Sequence, residues 1–97
     1  MAAVIVMPTA LRDLENLIRT HSLPPTTRER VKRSMEPLGR FPRLGATLHG
    51  RWADHRFVLG PWRWMIIVYQ YDQGADRVGI VTIQDGRTAR AAPSSLS

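Results

Sequence analysis

The chain has 97 residues, 43% of them hydrophobic, no cysteine, and a formal net charge of +6. This is the size of one domain with a modest core, too apolar to be disordered, and without the thiols for a disulfide framework or a thiolate zinc site. The sequence pI of about 11.3 favours an anionic partner, whether nucleic acid, an acidic protein or a membrane surface.

No run approaches the roughly 18 apolar residues of a bilayer span. The opening Met1–Met7 is short and lacks a basic leader region, so it does not read as a signal peptide. Lack of cysteine fits a reducing cytoplasm. Neither a metal-ligand cluster nor a glycine-rich phosphate loop is present, and no cofactor is implied.

Residues 3–7 form a β-branched apolar run ended by Pro8, which predicts a first strand, edge or central. Pro8 and Thr9 open a helix to about His21, with Leu11, Leu14, Leu17 and Ile18 on one face. Ser22 to Pro25 is a connector, because two prolines cannot continue a helix. Thr26 and Glu29 have capping-box spacing at the head of a second helix. Its apolar stripe is Val31, Met35 and Leu38, its other face is basic (Arg28, Arg30, Lys32, Arg33), and Gly39 is expected to stop it.

Residues 39–53 are glycine-rich and read as a loop. Strands follow over 54–59, 63–71 and 77–83, broken by Gly60-Pro61 and by a turn over 72–76. The middle strand is apolar on both faces, which predicts a central position. The expected fold is α+β in the order β-α-α-β-β-β, a helical hairpin on one face of a small, mainly antiparallel twisted sheet. The opposite face is expected to be open and to carry the working surface. Residues 1–90 make the domain and residues 91–97 a frayed tail.

The three strands carry arginines at their ends and aromatic residues beside them, a pattern suited to gripping phosphates and stacking on bases. The same basic face would dock an acidic protein. Trp64 is expected beneath the helices, and Trp62, beside the Gly60-Pro61 break, is the tryptophan expected to be exposed for stacking. Arg51, Trp62, Arg90, Lys32 and Arg33 are candidate RNA contacts. His55 alone lies in the strand region and is suited to proton transfer, against the plainer reading of a solvated residue at a strand start. Tyr69 and Tyr71 read first as core residues on the central strand.

Phe41-Pro42-Arg43-Leu44-Gly45, after a basic helical hairpin, resembles the Phe-Pro-x-x-Gly segment that closes the helices of RelE/ParE toxins from bacterial toxin–antitoxin modules. The stretches Arg56–Gly60 and Trp62–Tyr69 resemble the hairpin of that family, and the element order matches. The resemblance spans residues 4–90. It implies a toxin neutralised by a cognate antitoxin, either a nuclease cleaving mRNA on the ribosome, as RelE-like members do, or a DNA gyrase inhibitor, as ParE-like members are.

By position, Arg63 resembles the arginine that contacts the scissile phosphate region. Arg56 resembles a basic residue of the preceding strand, and Arg87 the basic residue after the last strand. With His55, which enters on its side-chain chemistry and not on the resemblance, these three arginines form the candidate catalytic set. Position 54 is Asp where another basic residue is common. Many RelE-like nucleases place a Tyr or His near the C-terminus for proton transfer, whereas here Gln84–Arg90 is followed by neither. The two classes, nuclease and inhibitory binding protein, stay open at this point.

Overall fold

The computed structural model describes residues 1–87. The elements in chain order are β1 (Ala3–Val6), α1 (Pro8–Thr20), α2 (Thr27–Met35), α3 (Pro37–Arg40), β2 (Ala46–Thr47), a 3-10 turn (Gly50–Trp52), β3 (Arg56–Leu59), β4 (Met65–Asp72) and β5 (Arg77–Asp85). They form one five-stranded sheet in the order β1-β5-β4-β3-β2. β1 runs parallel to β5 and every other pair is antiparallel. The expected α+β architecture is what forms, with β4 at the centre and β1 at an edge.

Local details differ from the sequence expectation in ways that have physical causes. α1 buries Ala10 and Leu14, with Leu17 and Ile18 against the core, while Leu11 stays 51% exposed. Ser22 adopts a positive φ of 50°, and the Leu23 N–H donates to the Ile18 carbonyl, closing α1 in a Schellman-type end before the prolines are reached. The Thr26–Glu29 capping box does not form, because the Thr26 side chain makes no cap bond. Instead Thr27 is buried and its hydroxyl donates to the Pro24 carbonyl at 2.6 Å.

The second helix is broken rather than stopped. Pro37 has no N–H to continue the ladder, so α3 sets off as a new turn. Gly39 does not end it. The Ala2 N–H donates to the Gly39 carbonyl at 2.7 Å, and a Cβ on Gly39 would sit 3.1 Å from the Ala2 carbonyl oxygen, so the glycine serves close approach to the chain ahead of β1. The expected loop over 39–53 contains β2 and the 3-10 turn.

The main core lies between the sheet and the helices. β4 contributes Met65, Ile67 and Tyr69, and β5 contributes Val78, Ile80 and Ile83, facing Ala10, Leu14, Val31, Met35 and Leu38. Ile80 and Ile83 share a face although they are three apart in the chain. The register passes from Val68 opposite Thr82 to Tyr69 opposite Ile80, so Val81 is the extra residue of a bulge that resets the alternation. The other face of the sheet is not open as expected. Leu48 caps Ile66 and Val68 there, with Trp52 and Phe57 alongside.

Candidate functional site

Two groups of candidate residues lie at opposite ends of β3 and β4. At the first end, Gly60–Trp64 turns the chain from β3 into β4. The turn is tight, for the Gly60 N–H donates to the Met65 carbonyl at 2.9 Å and a Cβ on Gly60 would lie 2.6 Å from the Met65 sulfur. Arg63 is exposed in this turn, and Trp62 and Trp64 flank it in sequence, both half-buried.

The two indoles stack on each other at 5.9 Å between centroids and 15° between planes. The Arg30 guanidinium of α2 lies 4.8 Å from the Trp62 centroid. Trp64 carries the imidazole of His21, stacked at 4.9 Å and 13°, and the Arg87 guanidinium at 4.8 Å. α1, α2, the β3–β4 turn and the end of β5 therefore meet in one ladder of rings and cations. Both tryptophans pack against the main core, so Trp62 is less free than the sequence suggests.

Asp85 anchors the ladder and is only 8% exposed. Its Oδ1 accepts the Arg87 backbone N–H at 2.9 Å and Nε at 3.0 Å, while Oδ2 faces Arg87 Nη2 and His21 Nε2, each at 3.0 Å. The hydrogen bonds from the Arg87 side chain, then its backbone N–H, then the His21 ring, outweigh burial and hold the Asp85 carboxyl well below the usual carboxylate range. The Arg87 guanidinium is held all the more firmly protonated by the same contact.

At the second end, Arg56 is half-buried and donates Nη1 to the carbonyls of Gly45 at 2.9 Å and Arg43 at 3.3 Å. The Gly45 N–H donates to the Tyr69 hydroxyl at 2.8 Å. Burial pushes the Tyr69 phenol up, against the smaller effects of the Gly45 bond and the Arg56 charge. Tyr71 is half-buried, and its hydroxyl donates to Asp76. His55 is half-buried with its ring edge-on to Trp52 at 4.9 Å and 71°, and its Nδ1 is buried without a partner among the described residues. Arg51 is exposed on the 3-10 turn.

The structure therefore brings Arg63 and Arg87 to one end and leaves Arg56, His55 and Arg51 at the other. Arg56 pairs with Tyr69, while Leu59, at the far end of β3, pairs with Ile66. Three residues of strand separate those positions by about 10 Å. Lys32 and Arg33 are exposed on α2, and Arg90 lies outside the described residues, as does the expected tail over 91–97. Sequence reasoning missed His21, Asp85 and Arg30 as parts of this site. His21 and Asp85 are 64 positions apart, so no spacing could couple them. Among the described residues no group of His, Asp or Glu is arranged to hold a metal ion, and no helix is long and apolar enough to cross a membrane.

No family model matches the sequence, and no curated protein matches it. Solved structures do. The chain superposes on a chain of the toxin–antitoxin complex RelBE2 from Mycobacterium tuberculosis with a TM-score of 0.64 and 26% identity, covering 87% of this chain and 96% of that one. The chain has the RelE fold. The isolated RelE toxin of E. coli matches with a TM-score of 0.64 and 16% identity, over 99% of this chain and 96% of that chain. An E. coli RelE mutant in complex with an antitoxin RelBc peptide matches at 0.65 and 16%, over 99% and 95%. On this RelE fold the Arg30–Trp62–Trp64–His21 ladder closes the helix side of the sheet, and the apolar Ile66–Val68 cluster occupies the other face.

Proposed function

We propose that this protein is the toxin of a toxin–antitoxin pair and arrests growth by cleaving mRNA on the ribosome. The observation that carries the reading is the full-length likeness to RelE, with 26% identity to a chain of a toxin–antitoxin complex over 87% of the sequence. The charge supports it. The net charge of +6 suits a polyanion, and Arg63, Arg87, Lys32 and Arg33 are exposed.

Arg63 and Arg87, at one end of the sheet, stabilise the charge that builds on the phosphorane. His55, Arg56 and Arg51, at the other end of the strands, then serve as outer contacts or supports and not as the reacting set. A cognate antitoxin has an apolar place to bind. Between β1, α1 and α2 runs a groove of about 310 Å³ lined by Val6, Leu11, Leu14, Val31 and Met35, with Lys32, Glu36 and the Glu15-paired Arg28 also lining it. The adjoining edge strand leaves Ile5 at 42% and Met7, just beyond it, at 44% exposure. An antitoxin segment that alternates apolar and acidic residues fits both.

Primer extension on translated mRNA tests the activity. The wild type is expected to leave discrete cuts, and Arg63→Ala to reduce them about 100- to 1000-fold while folding normally, since Arg63 is exposed. Uncut mRNA together with blocked DNA supercoiling would assign the protein to the gyrase-inhibiting class instead.

A further inference from the structure

His21 is the one imidazole at the ladder, and both of its ring nitrogens make hydrogen-bond contacts. The Thr20 hydroxyl has a single proton, and it points at the Asn16 carbonyl at 2.8 Å. The 3.0 Å contact between Thr20 Oγ1 and His21 Nδ1 then needs its proton from Nδ1. The Asp85 carboxylate, ionised by its Arg87 contacts, accepts from Nε2 at 3.0 Å. In this arrangement both ring nitrogens face an oxygen that can accept, Thr20 Oγ1 and the Asp85 carboxylate.

The ring is fixed on three sides by Asp85, the face of Trp64 and the end of α1, yet its side chain is 28% exposed. It opens on a polar cleft of about 300 Å³ lined also by Asp13, Asn16, Thr20 and Gln84. Among the described residues the charged groups facing it are Asp85 at the end of β5, Arg87 just beyond it and Asp13 from α1. Asp13 is itself bonded to the Thr82 hydroxyl and the Ile83 N–H.

We propose that His21 is the proton donor of the RNA cleavage step, with Asp85 as its positioning residue; this rests on the nuclease reading above. The attacking 2′ oxygen forms a bond to phosphorus and the bond from phosphorus to the 5′ oxygen breaks. The 2′ proton passes to water. The Nδ1 proton of His21 passes to the departing 5′ oxygen, giving a 5′ hydroxyl and a 2′,3′-cyclic phosphate, and the neutral imidazole regains a proton from water. Thr20 Oγ1, exposed at the end of α1, occupies the position that the 5′ oxygen takes when the threonine side chain rotates away.

The test uses the full chain on translated mRNA, with circular dichroism on each variant. His21→Gln is expected to fold and to cleave about 100- to 10,000-fold more slowly, the usual worth of a positioned acid. His21→Ala is expected to regain cleavage when millimolar imidazole is added, which a merely structural histidine would not show. The wild-type rate is expected to fall with rising pH across the range in which imidazoles titrate, a limb that His21→Gln lacks. Wild-type cleavage with no such limb, or a His21→Gln variant as fast as the wild type, overturns the assignment of His21 while leaving the nuclease reading intact. A wild type that cuts no mRNA removes the nuclease reading and this proposal together.

Discussion

Gly45 shows at the scale of single residues why the loop before β2 is fixed. A Cβ there would lie 2.5 Å from the Phe57 carbonyl oxygen and 2.8 Å from the Tyr69 ring, so no side chain fits. Its N–H is bound by the buried Tyr69 hydroxyl and its carbonyl by Arg56. Tyr69→Phe leaves that N–H unsatisfied inside the protein and is expected to cost about 1–3 kcal/mol in urea unfolding. An unchanged midpoint would show that water replaces the bond. Asp85 gives a pH prediction. Its carboxyl is depressed in the fold from an ordinary 3.8, so its contribution is present at higher pH and is lost as pH falls below about 4. Asp85→Asn is expected to be less stable than the wild type at pH 7 by about 2 kcal/mol, in line with hydrogen bonds to a charged group, and the difference is expected to shrink as both are titrated towards pH 2. A gap that is constant with pH would mean that shape and not charge matters at this position.

At the scale of elements, the strands were legible because their signals are local. β4 places Met65, Ile67 and Tyr69 on the helix face and Ile66 and Val68 on the other, and a run apolar on both faces reads directly as a central strand. β2 was not legible, since two residues, Ala46 and Thr47, pair only because β3 presents Phe57 and Arg56 opposite them. The capping box failed for a related reason. Thr27 is buried and bonded to Pro24, and this tertiary placement outweighs the local choice offered by Thr26 and Glu29. The site was half legible. Arg63 and Arg87 follow from their places in a turn and after a strand, but the ladder joins α1, α2, the β3–β4 turn and the end of β5 through contacts that no spacing encodes. Arg30→Ala removes the cation over Trp62 and is expected to cost about 0.5–1 kcal/mol, read as a lowered urea midpoint. Full stability in that variant would make the stacking incidental.

At the scale of the whole molecule, a basic charge, an apolar groove and an exposed sheet edge occur together on the RelE fold. Each feature alone has a plain explanation, since charge keeps a small domain soluble and edges exist on every open sheet. Together they suit a protein that meets a polyanion at one end and is covered by a partner on another. Leu11→Asp, at 51% exposure on the rim of the groove, is expected to leave cleavage intact and weaken antitoxin binding by at least tenfold in calorimetric titration. Undiminished binding would move the antitoxin elsewhere. The most direct test of the central claim is growth after induced expression in bacteria, alone and with the gene adjacent to this one. The account predicts arrest by the wild type, relief by the adjacent gene product and little arrest by Arg63→Ala. Normal growth with high levels of folded wild-type protein would contradict it.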